Sequence, residues 1–247
     1  MSRRVNVGLA VASVVTVVGL VTPVSAAPSS NLVLRYQFTT GGNQVTDSST
    51  FHIAGVLTNA DPTQAYVTSK DGLGRALQLR APQRQFVAVP ESNRLDVNSF
   101  TLAAWVRYSG VVTADTKDRW EVLEKAGAYW LNVRTGGHVR TGGFFGGCLS
   151  SRYWKYLDST SIVQPQTWTH VAATYNGNTL TIYVDGVRSG WMAVTGATCQ
   201  NDEPLAVGAK NAPTKGVLEA FWDGQLDEVR VYNKALGAKQ IAALAGR

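Results

Sequence analysis

The stretch WTHVAATYNGNTLTIYVDGVRSG, residues 168 to 190, decides the fold. Two runs rich in β-branched and aromatic residues, Trp168 to Tyr175 and Thr179 to Val184, flank Asn176-Gly177. Asn and Gly both tolerate positive φ, so the dipeptide predicts a β-hairpin closed by a two-residue type I′ turn. A second tight turn is expected at Asp185-Gly186, after which Val187 pairs back near Val184. The product is a three-stranded meander. In its middle strand Leu180, Ile182 and Val184 share one face and Thr179, Thr181 and Tyr183 the other, so one face is core and the other faces solvent or a second layer.

Working outward, the same signals recur about every ten residues. Leu32, Leu34, Tyr36 and Phe38 alternate with polar or less bulky neighbours. Gly41 to Thr50 reads as polar loop. Residues 76–79 and 86–89 are short strands, the second ended by Pro90. Phe100 to Arg107 alternates again, and residues 122–125, 129–134, 138–144, 204–208 and 224–232 complete the set. Short strands with turn signals between them predict an antiparallel sandwich. One short helix closes the chain, with Gly237 at the N-cap, Gln240 at N3, and Leu236 with Ile241 as a hydrophobic staple.

The first residues form a targeting signal. Arg3 and Arg4 precede an uncharged apolar run from Val7 to Val21, and Val24-Ser25-Ala26 suits a cleavage site. Residues 1–26 are expected to be a secretory signal peptide, residues 27–30 a linker, and residues 31–247 one domain. The apolar run is shorter than the roughly 20 residues a membrane helix requires. The product is therefore expected to be secreted and extracellular, with no membrane insertion of the mature chain. With 247 residues, 45% hydrophobic and 16% charged, the chain can bury a substantial core. The net charge of +6 falls to +4 once Arg3 and Arg4 are removed, and the basic residues are scattered. That pattern argues against a nucleic-acid partner.

Export permits a disulfide between the two cysteines, Cys148 and Cys199, both in Gly- or polar-rich segments. Closing a loop of about 50 residues stabilises by a few kcal/mol. Two free thiols are the alternative. A nucleophilic Cys is not indicated, since His138, the nearest His in sequence, sits in a Gly-rich turn without an orienting partner.

The series FTLAAWVR (100–107), WTHVAATYNGNTLTIYVDG (168–186) and FWDGQLDEVRVYNKALGAKQI (221–241) resembles the laminin-G-like jelly-roll domain of the concanavalin A-like lectin and glucanase superfamily. The resemblance covers roughly residues 30 to 247. It implies an all-β fold, a two-sheet antiparallel jelly-roll sandwich of six or seven strands per sheet, with adjacent first and last strands and a short C-terminal helix. Its functions range over lectins, glycan-binding modules, hydrolases and lyases. It also implies a structural calcium held by a loop Asp and by the Asp before Glu-Val-Arg, which here are Asp47 and Asp227. Thr50-Phe51-His52 stand where such loops carry Gly and Asn, and Gln37-Phe38-Thr39 lacks the acidic residue found at that strand end. Asp47 as a turn residue and Asp227 as a strand-end acceptor are the structural alternatives.

Catalysis finds little support in the sequence. The Glu-x-Asp-x-Glu triplet by which this fold presents two carboxylates about 5 Å apart is absent. Asp227 and Glu228 are adjacent and so expected on opposite faces, and Glu121 and Glu124 have the wrong parity to share one. The Arg-x-Glu-x-Arg and Gln-x-His patterns of the polysaccharide lyases are missing too. The expectation is a non-catalytic binding module. Between Trp120 and Tyr156 the chain is dense in aromatics, and its charges from Arg134 to Lys155 are all basic. Sugar C–H faces stack on aromatic rings, and sugar oxygens accept from Arg. Trp154, Arg152, Tyr153, Arg140 and Trp191 are the candidate ligand contacts, with loop packing the alternative for Trp154, Tyr153 and Trp191. Trp105, Trp130 and Trp168 lie in strands and are expected in the core, and His170 is expected to be a hydrogen-bonded structural residue. An extracellular carbohydrate is the first ligand expectation. A protein partner at the cell surface or matrix is the second, and a hydrolase or lyase with an unrecognised site the third.

Overall fold

In chain order the strands are β1 (Leu32–Tyr36), β2 (Gln44–Val45), β3 (Gly55–Thr58), β4 (Tyr66–Thr68), β5 (Arg75–Leu79), β6 (Phe86–Val89), β7 (Phe100–Tyr108), β8 (Arg119–Lys125) and β9 (Tyr129–Arg134). They continue as β10 (His138–Phe144), β11 (Trp154–Ile162), β12 (Thr169–Tyr175), β13 (Thr179–Val184), β14 (Val187–Ala193), β15 (Leu205–Val207), β16 (Lys210–Ala212), β17 (Val217–Glu219) and β18 (Gly224–Tyr232). Two helices, α1 (Pro62–Ala65) and α2 (Ala238–Leu244), complete the elements. This computed structural model describes residue 1 and residues 31–148, 150–212 and 217–246. Met1 apart, the expected signal peptide and linker lie outside the described residues.

Two eight-stranded antiparallel sheets form a sandwich. The first runs β14-β13-β12-β7-β18-β5-β4, with β1 also paired to β18, and the second runs β11-β10-β9-β8-β15-β6-β3-β2. The first and last strands are adjacent, as the jelly-roll resemblance implies. Each sheet exceeds the expected six or seven strands because short segments such as β2 and β4 add at the edges. Alternating apolar residues of both sheets meet in one core, including Leu102 and Val106 of β7, Leu131 and Val133 of β9, and Leu180 and Ile182 of β13. On the outside of the first sheet, Ile241 of α2 packs with Leu236 against Ala103, Ala172, Tyr183 and Tyr232. The helix starts as expected, the Gly237 N–H donating to Gln240 Oε1 at 3.0 Å.

Both turns of the meander exist, but their chemistry differs. Asp185 and Gly186 have φ of 47° and 77°, the double positive φ of a type I′ turn, and Val184 pairs with Val187. At the first turn the expected type I′ geometry over Asn176-Gly177 gives way to a turn centred on Gly177 and Asn178. There only Gly177 has positive φ, the signature of type II′. Asn176 stays outside the left-handed region and its Oδ1 accepts from the Asn178 and Thr179 N–H groups.

Strand alternation is interrupted in β18. Its pairing with β7 shifts between Asp227 and Arg230, and Glu228 takes φ of 49°. This β-bulge overturns the expectation that Asp227 and Glu228 point to opposite faces. Asp227 lies opposite Trp105, and Glu228 reaches Arg35 through two 2.8 Å hydrogen bonds and Arg230 at 2.7 Å. The last strand is thereby tied to the first by charge as well as by backbone.

Three tryptophans expected in the core lie elsewhere. Trp105 faces outward, with Lys70 Nζ 4.2 Å above its ring and His170 edge-on at 5.5 Å. Trp168 is only half-buried. Trp130 is buried but belongs to the outer face of the second sheet. His170, expected to be hydrogen-bonded, has neither ring nitrogen partnered among the described residues. Burial, helped by the Arg230 and Lys70 charges, holds its pKa down at about 3, so the ring is neutral.

Cys148 and Cys199 form a disulfide that closes a separation of 51 residues, with a Cα–Cα distance of 4.9 Å. It staples the end of β10 to the segment before β15, beside the Phe145–Thr198 bridge. Replacing both cysteines with Ala is expected to lower unfolding free energy by about 4 kcal/mol in the chain-entropy model, read from denaturant melts of oxidised and variant chains.

Candidate functional site

The outer face of the second sheet carries a groove of about 610 Å³. Its floor is made by β8, β9, β10 and β11, and one irregularity in β8 determines what that floor contains. Glu121 pairs with Asn132, Leu123 with Leu131, and Glu124 with Trp130, so the register shifts between Glu121 and Leu123. The extra residue is a β-bulge, and directly opposed residues share a face. Glu121 and Glu124 therefore both join Asn132 and Trp130 on the groove side, which corrects the reading from strand parity.

Glycine opens the aromatic half of the groove. Gly142 of β10 lies opposite Trp130 on one side and Tyr156 on the other. A Cβ at Gly142 would overlap the Trp130 ring and the Lys155 carbonyl. The missing side chain lets the indole lie flat across β10. Trp154 stands beside it, with ring centroids 6.2 Å apart, and Tyr156 continues the row 5.3 Å from Trp154. Arg140 stacks on Tyr156 at 4.1 Å and binds Asp158 through two 2.6 Å hydrogen bonds. Trp154 is 45% exposed, so a large apolar ring faces solvent at the groove.

The polar half is dominated by paired charges. Arg134 meets Asp118 at 2.6 Å, and Arg119 meets Asp118 at 2.9 Å and Glu121 at 3.3 Å. Lys210 meets Glu219 at 2.6 Å, and Lys117 also pairs with Glu219. Asn132 donates to both Glu121 oxygens at 3.2 and 3.3 Å. Glu121 is 1% exposed, and burial pushes its carboxyl up to about 7 despite Arg119 and Asn132. Glu124, 7% exposed, is pushed well above the carboxylate range by burial and by the Glu121 charge. Two acceptors at the groove, Glu124 Oε2 and Asn132 Oδ1, have no partner among the described residues.

Of the residues singled out from sequence, Trp154 and Arg140 line this groove together. Tyr153 and Arg152 lie at the tip of the β10–β11 hairpin. Tyr153 packs flat on Gly147, which has no room for a Cβ, and Arg152 sits 5.7 Å over the Tyr153 ring. Trp191, 58% exposed, is on β14 opposite Thr181, hence on the outer face of the other sheet. Trp130, Tyr156, Asn132, Glu121 and Glu124 were not among the candidates. The Gly142-Gly143 pair opposite a strand Trp was the sequence signal for the first.

The Asp47 and Asp227 pair does not fit calcium. Asp47 Oδ1 accepts from the Arg35 and Ser49 N–H groups, each at 2.8 Å, and Oδ2 accepts from Ser49 Oγ at 2.6 Å and the Ile53 N–H at 2.8 Å. Four donors fill the roughly four lone-pair sites of a carboxylate. Among the described residues no group of three or more His, Cys, Asp or Glu side chains is placed to hold a metal ion. Asp227 instead has its carboxyl pushed up to about 7 by burial and by Glu228.

A family model described as the concanavalin A-like lectin/glucanases superfamily matches residues 82–242. No curated protein matches the chain significantly in sequence. Among solved structures, the binding domain of Paraclostridial Mosquitocidal Protein 1 is similar over 88% of this chain and 52% of its own, at 16% identity and a TM-score of 0.65. Domain 4 of an extracellular arabinanase from Geobacillus stearothermophilus, in complex with arabinotriose, is similar over 87% of this chain and 98% of its own, at 20% identity and a TM-score of 0.61. The binding domain of botulinum neurotoxin DC in complex with SialylT is similar over 88% and 52%, at 13% identity and a TM-score of 0.63. The chain thus spans about half the length of the toxin binding domains. At these identities the likeness shows the fold.

Two expectations follow from this geometry. Gly142→Ala, at a backbone conformation open to any residue, should cost about 1–3 kcal/mol by overpacking against Trp130 and the Lys155 carbonyl, read from the thermal midpoint. The second concerns pH. Glu121 and Asp227 titrate near 7 in the fold and near 4 unfolded, so the folded state binds more protons between those values and stability falls as pH rises. His170 has the opposite sign, but its contribution is complete above its unfolded value. Above about pH 6.5, where the His170 contribution is constant, the midpoint should therefore fall as pH rises through about 7 and then level off, and Glu121→Gln and Asp227→Asn should each remove part of that slope.

Proposed function

We propose a function from one premise: the chain belongs to the concanavalin A-like lectin and glucanase superfamily. It is a secreted, non-catalytic module that binds extracellular carbohydrate in the groove of the second sheet. The row of Trp130, Trp154 and Tyr156 on one face carries the reading. Tilted rings at this spacing offer successive surfaces to the C–H faces of consecutive sugars, and the flanking polar side chains serve the hydroxyls. A solved domain of similar fold in complex with arabinotriose supports it, as does a toxin binding domain in complex with SialylT. Secretion rests on the leader-like sequence of residues 1–26.

Glu121 and Glu124 favour a second reading. Two carboxyls lie in one groove, and a raised pKa of the kind both show is what the general acid of glycosidic-bond cleavage requires, with an ionised second carboxyl as its partner. Release of reducing ends from a bound polysaccharide, abolished in Glu121→Gln, would move the assignment to a hydrolase.

The first test is a polysaccharide pull-down with the wild-type chain, Trp154→Ala and Trp191→Ala. Trp154→Ala is expected to weaken binding about tenfold or more while melting like wild type, the loss of one stacking surface. Trp191→Ala, on the opposite face, should bind as wild type. No retention on any sugar by a folded sample would discard the carbohydrate reading in favour of a protein partner.

A further inference from the structure

The polar groups of the groove say which kind of glycan it takes, given that it takes one. The sequence is basic, and the stretch from Arg134 to Lys155 is rich in cations, which invites an acidic sugar. Of that stretch Arg134 and Arg140 line the groove, while Arg152 and Lys155 lie outside its lining, and the lining cations have counter-ions. Asp158 holds the Arg140 guanidinium bidentately at 2.6 Å, Asp118 takes Arg134 and Arg119, and Glu219 takes Lys210. Bidentate carboxylate pairing fixes the orientation of a guanidinium as well as its charge.

The groove-lining atoms left without partners among the described residues are two oxygens, Asn132 Oδ1 and Glu124 Oε2. Asn132 is 2% exposed, and its amide N–H₂ is directed at the two Glu121 oxygens, which leaves Oδ1 as the end that faces no donor. Glu124 is 7% exposed with Oε2 equally unpartnered. Both line the groove. A buried acceptor without a donor is a standing penalty that a ligand donor relieves. A sugar hydroxyl donates and accepts, so it serves Asn132 Oδ1 and serves Glu124 whether or not that carboxyl is ionised. A uronate or sulfate oxygen only accepts, so it offers Asn132 Oδ1 no donor.

We infer that the groove is selective for neutral, hydroxyl-bearing glycans over acidic ones, because the cations that line it are ion-paired and its unpartnered oxygens are served by a hydroxyl that both donates and accepts. This rests on the carbohydrate reading above. It also gives Asp158 and Asp118 a role: they keep the basic face of the groove from acting as an anion receptor, a form of discrimination by removing the attraction to the wrong ligand.

The test is binding of the full chain to arabinan, laminarin and xylan on one side and to polygalacturonate, hyaluronate and heparin on the other, at low and at physiological salt. Retention on at least one neutral polymer, insensitive to salt, with acidic polymers at least tenfold weaker, is the expected result. Two variants sharpen it. Glu124→Met keeps side-chain length and removes both acceptor oxygens, and should weaken neutral binding about tenfold, equivalent to about 1.4 kcal/mol. Asp158→Asn frees Arg140 and should raise retention on acidic polymers in a salt-sensitive way. Wild-type chain that holds acidic polymers as tightly as neutral ones, or Glu124→Met that binds as wild type, overturns the selectivity while the carbohydrate reading stands. A folded chain that holds none of the six polymers overturns both.

Discussion

One extra residue in β8 is the constraint on which the site depends. A strand that alternated strictly from Arg119 to Lys125 would send Glu121 and Glu124 to opposite sides of the sheet, one into the apolar core. The register shift between Glu121 and Leu123 keeps Val122 and Leu123 in the core and puts both carboxyls outside it. The opposing strands take advantage of the same face. Asn132 reaches Glu121, Trp130 flanks Glu124, and Gly142 makes space for the indole. Remove the bulge and the polar half of the groove has no counterpart to its aromatic half.

The second sheet and the first handle buried polarity in different ways. In the second, charge is arranged in pairs around a cavity whose lining includes Asn132 and Glu124, each with one unpartnered oxygen. In the first, a bulge in β18 gathers Asp227, Glu228 and Arg230 on the outer face, where Arg35 and Arg230 share the Glu228 carboxylate and hold its pKa down against burial. Its Arg35–Glu228 ion pair binds the first strand to the last. The same device, a displaced register, builds an adhesive seam in one sheet and a receptive surface in the other.

The fold was largely legible in the chain, because turns and alternation are local signals. Asp185-Gly186 names its own turn, and FTLAAWVR alternates so regularly that the core side of β7 can be assigned on sight. The groove was not legible in the same way. β11 carries Lys155, Asp158 and Ser159 between its apolar residues and shows no apolar period, so Trp154 read as a loop residue rather than as the start of an edge strand. The bulges in β8 and β18 leave no mark in composition, so parity arguments about Glu121 and Glu124, or about Asp227 and Glu228, were bound to fail. Trp130 in a strand suggests core until one knows that the residue across from it is Gly142. Asp47 drew attention as a cation ligand on family grounds, yet what it caps is its own loop.

The pairing of β1 with β18 also has a geometric consequence. Leu32 lies opposite Tyr232, and α2 folds back over the outside of that same sheet. Both ends of the described domain therefore emerge on the flank of the sandwich that faces away from the groove. Anything joined there would act as a handle held from behind, leaving the aromatic row uncovered on the opposite side.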